Sequence, residues 1–135
     1  MTESFLHYIW KMKLFNSSEL KTSKGENVLI INSGEHNTHA GPDFTNAKIK
    51  IDDTTWAGNV EIHTRSSEWK NHKHQNDDAY KNVILHVVYD HDDTNNNLPT
   101  LELKNKIDHT LIKQFEYLMH TAAWIPCEKS IRQVN

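Results

Sequence analysis

Two short runs that alternate apolar and polar residues, 47–51 and 55–64, constrain the fold of this chain more than any other feature. The first run reads AKIKI and the second reads TWAGNVEIHT. A period of two is typical of β-strands, because successive side chains point to opposite faces. Asp52 and Asp53 lie between the runs as turn residues. The two runs are therefore predicted to form a β-hairpin.

The same stretch carries a group of polar residues suited to binding a metal ion. On the second strand, residues two apart share a face, which places Asn59, Glu61 and His63 together. Asp43 enters from the Pro42-Asp43 turn, just before the first strand. A carboxylate beside an imidazole, with a second carboxylate from a neighbouring turn, is a candidate divalent-metal site.

The length of 135 residues predicts a single domain with a hydrophobic core. Hydrophobic residues make up 36% of the chain and charged residues 24%, which is typical of a globular protein rather than a disordered one. We assign the domain to residues 1–120 and expect 121–135 to be a C-terminal tail linking to a longer protein. The formal net charge of −3 gives no overall basic signal for nucleic acid. A local basic surface that binds nucleic acid is still possible, because positive charges gather in the first half of the chain.

Cysteine usage and hydropathy favour a cytoplasmic protein. The one cysteine, Cys127, excludes a disulfide within the chain and suits a reducing compartment. The N-terminus has no basic segment followed by an apolar run, and no apolar stretch approaches the roughly 20 residues of a membrane helix. We therefore expect no contact with a membrane. The sequence does not determine the oligomeric state, and a dimer is possible.

The rest of the chain supplies elements that would surround the hairpin, as judged from helical or strand-like spacing of apolar residues. Helices are predicted over 4–15, 67–75 and 107–120, and further strands over 28–31, 83–89 and 98–103. The resulting order is αβββαβ, followed by one more strand and one more helix. Such an order packs most naturally as an α/β fold with a mixed central sheet flanked by helices.

This order, with Pro42-Asp43 before the second strand and Glu61-x-His63 on the third, resembles the PD-(D/E)XK nuclease superfamily. The resemblance implies a restriction-endonuclease-like α/β (α+β) core and a metal-dependent nuclease that cleaves nucleic-acid phosphodiesters. It implies that Asp43 and Glu61 bind Mg²⁺ or Mn²⁺ together with the backbone carbonyl of Ile62. His63 stands at the position where the superfamily has lysine, and two roles are open to it.

As a metal ligand, the softer imidazole of His63 would shift the preference of the site toward Mn²⁺ or Zn²⁺. As a general base, it would use the ordinary pKa of an imidazole, about 6.5. Lys48 and Lys50 on the paired strand are candidates for supplying the positive charge that lysine would bring.

The chain has 10 histidines, so other histidine sites are also considered. His72 and His74 form an HxH pair that can chelate a metal on a strand or loop, but their side chains diverge on a helix. His86 interrupts an apolar strand; such a histidine is more often a hydrogen-bonded core residue than a ligand or catalytic group. His36 and His39 lie in the loop that leads to the Pro-Asp turn and are candidates for a supporting role.

A second resemblance covers nearly the whole chain. The strings FLHYIWKMKLF, GPDFTNAKIKI, WAGNVEIHTRSSEW and NVILHVVYDHD resemble a bacterial family classed as domain of unknown function 2851. Its members are longer, and the resemblance implies no particular activity. Three alternatives to a nuclease therefore stay open: a catalytically inactive nucleic-acid-binding domain, a protein-interaction domain, and a different hydrolase that binds metal through its histidines.

Overall fold

The computed structural model describes residues 1–71, 80–93 and 97–122. The elements, in chain order, are α1 (Glu3–Met12), β1 (Val28–Asn32), β2 (Glu35–His36), β3 (Phe44–Ile51), β4 (Thr54–Arg65), α2 (Glu68–Asn71), β5 (Val83–Asp90), β6 (Thr100–Glu102) and α3 (His109–Ala122). The α/β class and the mixed sheet flanked by helices are confirmed. The end of the predicted second helix, with His72 and His74, lies outside the described residues, as does most of the predicted tail.

The sheet has the strand order β1-β3-β4-β5-β6, and the short β2 pairs with β3. β3 is antiparallel to both β1 and β4, whereas β4, β5 and β6 are mutually parallel neighbours. β4 and β5 are therefore central strands. This position explains the nearly continuous apolar sequence of β5, because a strand covered on both faces needs little alternation.

The predicted hairpin is present as β3 and β4. Ile51 pairs with Thr54 across the turn, and Asp52 adopts a left-handed φ of 52°. Its carboxylate accepts a hydrogen bond from the Asn27 amide at 2.8 Å. β3 begins earlier than the alternation predicts, because a bulge at Asn46 interrupts the period of two.

Helix α1 begins at a side-chain cap and ends earlier than the sequence predicts. The Thr2 hydroxyl caps the helix by accepting a hydrogen bond from the Phe5 amide at 3.2 Å. The helix ends at Met12 rather than at the predicted residue 15, because Lys13 takes a left-handed conformation with φ 55°. The buried stripe consists of Phe5, Leu6, Ile9 and Trp10.

The core joins α1 and α3 to the sheet. Phe5 of α1 stacks on Phe115 of α3, with ring centroids 3.7 Å apart. Phe5 also belongs to a buried cluster with strand residues that include Ile49, Ile62 and Val87. Among the described residues, no helix has the length and apolar character needed to cross a membrane.

Candidate metal centre at the edge of the sheet

The site begins where β3 is shorter than its neighbour. β3 starts at Phe44, opposite Val60, but β4 continues to Arg65. The Asp43 carboxylate lies at this uncovered edge, and its Oδ2 accepts a hydrogen bond from the Ile62 amide at 2.7 Å. Asp43 thus satisfies a backbone donor that a longer β3 would otherwise cover.

Glu61 makes the reciprocal contact. Its Oε1 accepts a hydrogen bond from the backbone amide of Asp43 at 3.1 Å. Glu61 is only 4% exposed, so its carboxyl group lies in the interior of the protein. The structure therefore brings together the two carboxylates that the sequence singled out.

Helix α1 adds two ligand-type side chains at the same edge. The Nε2 atom of His7 lies 3.5 Å from Oδ2 of Asp43 and 3.9 Å from Oε1 of Glu3. One ligand atom from each of the three residues lies within 4.8 Å of the others. Sequence reasoning missed Glu3 and His7; their spacing of four residues on one helix face was the available signal.

These distances fit a metal ion better than a set of hydrogen bonds. The Nε2 atom of His7 is buried and has no hydrogen-bond partner among the described residues. Contacts of 3.5 Å and more exceed the usual length of an N–H···O hydrogen bond. Two ligand atoms bound to one tetrahedral ion at about 2.1 Å lie about 3.4 Å apart. His7 and Asp43 already have that separation.

The two carboxylates titrate in opposite directions. Burial, together with the neighbouring Asp43 carboxylate, raises the pKa of Glu61 to about 9. Burial also opposes ionisation of Asp43, but the adjacent His7 imidazole and the hydrogen bond from the Ile62 amide outweigh it and lower the pKa of Asp43. At neutral pH and without a cation, Glu61 is protonated and Asp43 carries the negative charge.

His63 and His86 lie behind Glu61, away from solvent. Nε2 of His63 is 3.5 Å from Oε2 of Glu61, and Nδ1 of His63 is 2.8 Å from Nε2 of His86. His63 is 1% exposed and His86 is fully buried. The ring of Trp69 lies 5.4 Å from that of His86. His63 therefore contacts Glu61 from the interior of the protein.

Lys48 and Lys50 lie further along the hairpin. They pair with Ala57 and Thr55, respectively. Lys48 is thus about 13 Å from Glu61, measured along the strand at about 3.3 Å per residue. The structure does not bring either lysine beside the two carboxylates.

The loop histidines differ in their placement. Nε2 of His36 lies 3.3 Å from Nδ1 of His7, and the His36 ring stacks on Phe44. Burial, and to a smaller extent the charges of His7 and Lys11, lower the pKa of His36. The His36 ring that contacts His7 is therefore a neutral imidazole at pH 7. His39 is exposed and has no contact with this cluster among the described contacts.

The fold and the site define an α/β protein with a carboxylate–imidazole cluster at a strand end. The chain belongs to the family described as "Protein of unknown function (DUF2851)", whose model matches residues 3–135. Comparison with curated proteins and with solved structures found no match.

Proposed function

We propose that the chain is a divalent-metal-dependent nuclease that hydrolyses phosphodiester bonds in nucleic acid. The observation that best supports the proposal is the meeting of Asp43 and Glu61 at one strand end, with the Nε2 atom of His7 3.5 Å from Asp43. These groups come from α1, from the residue just before β3 and from β4. Such a meeting of a buried carboxyl group with half-buried titratable groups is a frequent property of catalytic sites.

The residues suited to holding the ion are Asp43, His7 and Glu3, with Glu61 joining them once it has lost its proton. The backbone carbonyl of Ile62 is a further oxygen donor of the same strand end. A mixed nitrogen and oxygen set favours Mn²⁺ or Zn²⁺ over Mg²⁺. When bound, the ion would polarise a phosphate oxygen and make a water molecule acidic enough to attack near neutral pH.

In this proposal, the chain's own groups orient one another. The Ile62 amide fixes the Asp43 carboxylate at 2.7 Å. His63 is a positioning residue, because it contacts Glu61 from the buried side at 3.5 Å. His86 holds His63 in turn through their 2.8 Å contact. Glu61 is the group that exchanges its proton when a cation arrives.

The order of elements supports kinship with the PD-(D/E)XK nucleases. Leaving out the short β2, the elements α1, β1, β3, β4, α2 and β5 follow the order αβββαβ. Asp43 immediately precedes the second strand of this series and Glu61 lies on the third. A cytoplasmic location is part of the proposal and rests on the single cysteine.

A catalytically inactive nucleic-acid-binding domain is the second candidate. Its specific support is His63, which occupies the position of the superfamily's lysine and is 1% exposed. A buried imidazole that contacts both Glu61 and His86 does not provide the mobile cation that lysine would provide. This candidate predicts salt-dependent binding of nucleic acid without turnover.

Cleavage assays separate the two candidates. Single-stranded and duplex DNA and RNA are incubated with the wild type and with Asp43→Asn in Mn²⁺, Zn²⁺ or Mg²⁺. The proposal predicts cleavage that needs the ion and falls at least about a hundredfold in Asp43→Asn, as expected on losing a ligand. Asp53→Asn, in the exposed hairpin turn, is the matched control and retains activity. Equal rates for wild type and Asp43→Asn would refute the proposal, and binding without any cleavage would favour the second candidate.

A further inference from the structure

A groove with a volume of about 610 Å³ crosses the sheet near the candidate metal centre. Three adjacent strands, β1, β3 and β4, each contribute an asparagine to its lining, and a fourth asparagine comes from the residue just before β5. These residues are Asn32, Asn46, Asn59 and Asn82. Asn59 precedes Glu61 by two residues, about 7 Å along the strand. The groove therefore leads toward the strand end where the carboxylates meet.

The strand pairings change register beside these asparagines. A β-bulge bends a strand and redirects side chains, and bulges are common next to active sites. The shifts lie between Ile30 and Asn32, between Phe44 and Ala47, and between Asn59 and Val60. Three irregularities in neighbouring strand pairs therefore lie beside one groove.

Two positions in the groove restrict which residue the backbone can accept there. Asn46 lies within a strand but has a left-handed φ of 59°. Strain of this kind occurs preferentially at binding sites. At Gly58, an added Cβ would lie 2.6 Å from the carbonyl oxygen of Asn82. Only glycine permits this close approach between β4 and the residue before β5.

The amide groups in the groove have unused hydrogen-bonding capacity. Oδ1 of Asn32 accepts from the Gly34 amide at 2.8 Å, and Oδ1 of Asn59 accepts weakly from the Asn46 amide at 3.4 Å. Within residues 1–71, 80–93 and 97–122, the side-chain nitrogens of these residues donate no hydrogen bond. Asn82 is exposed and its side chain makes no hydrogen bond in the same part of the chain. Several amide donors therefore remain for a ligand.

The lining has the chemistry of a nucleotide site. Asparagine amides pair with the donor and acceptor edges of nucleobases. Lys48 lines the same groove and supplies a cation for a phosphate, and no carboxylate is present among the described lining residues. Ile31 and Ala57 add apolar surface against which the face of a base can lie. The volume of about 610 Å³ falls within the range of about 300–1,000 Å³ usual for small-molecule sites.

We infer that this groove binds an unpaired nucleotide of a single-stranded nucleic acid, adjacent to the phosphodiester presented to Asp43 and Glu61. The inference rests on the proposed nuclease function and specifies its substrate class. A single strand is required because the base edges of a duplex are paired and stacked, whereas an unpaired base can reach the amides of a sheet surface.

The test measures binding of fluorescently labelled single-stranded DNA and RNA by fluorescence anisotropy. EDTA is present so that no cleavage occurs. The variants are Asn82→Ala and Lys48→Gln. Their matched controls are Asn105→Ala in the loop after β6 and Lys113→Gln on α3, both exposed. An abasic strand of equal length serves as the second ligand, and a thermal melt of each variant verifies folding.

Asn82→Ala is expected to weaken binding of the base-bearing strand at least fivefold and to leave binding of the abasic strand unchanged. Lys48→Gln is expected to weaken binding of both strands and to reduce the salt dependence by about one unit of slope. Both controls are expected to bind like the wild type. A wild type that binds duplex more tightly than single strands, or folded groove variants with wild-type affinity, would overturn the inference.

The outcome is separable from that of the nuclease proposal, because binding is measured without a metal ion. Groove-dependent binding in a protein that cleaves nothing with any ion would refute the nuclease alone. If the protein shows ion-dependent cleavage but its affinity for single strands does not change in the Asn82 and Lys48 variants, only the inference about the groove is refuted.

Discussion

The backbone amide of Asp43 donates a hydrogen bond to the carboxylate of Glu61 at 3.1 Å, which brings the two side chains to the same strand end. Two carboxyl groups so placed repel each other when both are ionised, and burial strengthens that repulsion. The pair therefore retains a proton on Glu61 until a cation replaces it. Metal binding, proton release and stability are linked at this site, and each can be measured.

The ion should bind mainly through Glu3 and His7 of α1 and through Asp43, just before β3. Isothermal titration with Mn²⁺ or Zn²⁺ is expected to give one site in the wild type. His7→Ala should weaken it at least tenfold, because it removes a nitrogen 3.5 Å from the Asp43 carboxylate. His109→Ala, at the exposed start of α3, should leave the affinity unchanged. Equal affinities for the two variants would remove His7 from the ligand set.

Ion binding should also release a proton. The raised pKa of Glu61, about 9, means that the ion displaces a proton at pH 7. Titrations in buffers of different ionisation enthalpy should therefore show close to one proton released by the wild type. Glu61→Gln should show less release, and a wild type that releases no proton would contradict the account.

Stability without metal should fall as pH rises. Between the ordinary pKa of 4.5 and the raised value of about 9, folded Glu61 retains a proton that the unfolded chain has lost. The free energy of unfolding then decreases with pH, by at most about 1.4 kcal/mol per pH unit for one proton. Urea unfolding should show that Glu61→Gln gains stability over the wild type as pH rises from 5 to 8 in EDTA, with Glu116→Gln as the control. A difference that stays constant with pH would exclude a raised pKa.

The buried His63–His86 contact should contribute measurably to stability. His63→Ala or His86→Ala removes one partner of a 2.8 Å contact and is expected to cost about 1–3 kcal/mol beyond the loss of packing. A double-mutant cycle in urea should give a coupling free energy of about 0.5–3 kcal/mol. His120→Ala, near the exposed end of α3, is the control. Additive effects of the two substitutions would show that the contact is not energetically significant.

Gly58 should tolerate no side chain. A Cβ at this position would lie 2.5 Å from Cγ2 of Ile84 and 2.6 Å from the carbonyl oxygen of Asn82. Gly58→Ala is therefore expected to lower the free energy of unfolding by about 1–3 kcal/mol, as in other overpacked sites. Ala57→Ser, at the exposed neighbouring position, should change it by less than about 0.5 kcal/mol. Wild-type stability of Gly58→Ala would mean that β4 and Asn82 do not approach each other this closely.

The hairpin and the approach of Asp43 to Glu61 could be predicted because they depend on local information. Once Ile51 pairs with Thr54, an antiparallel register brings the residues near 43 opposite those near 61. The bulge at Asn46 shifts this pairing by one residue, and alternation alone does not reveal it.

The contributions of Glu3 and His7 could not be predicted in the same way. Their meeting with Asp43 depends on how α1 packs on the sheet, which local periodicity does not specify. The same holds for His63 and His86. Their contact requires the parallel register of β4 and β5, and these strands are connected through α2 and the segment that follows it. Sequence reasoning placed His63 beside Glu61 but did not predict its burial.

The most direct test of the account is a crystal structure of the chain grown with Mn²⁺, with anomalous data collected to locate the ion. The account predicts one anomalous peak at bonding distance from Nε2 of His7 and from a carboxylate oxygen of Asp43, with Glu61 close to it. An ion bound elsewhere, or no peak while His7 and Asp43 keep their 3.5 Å separation, would contradict it.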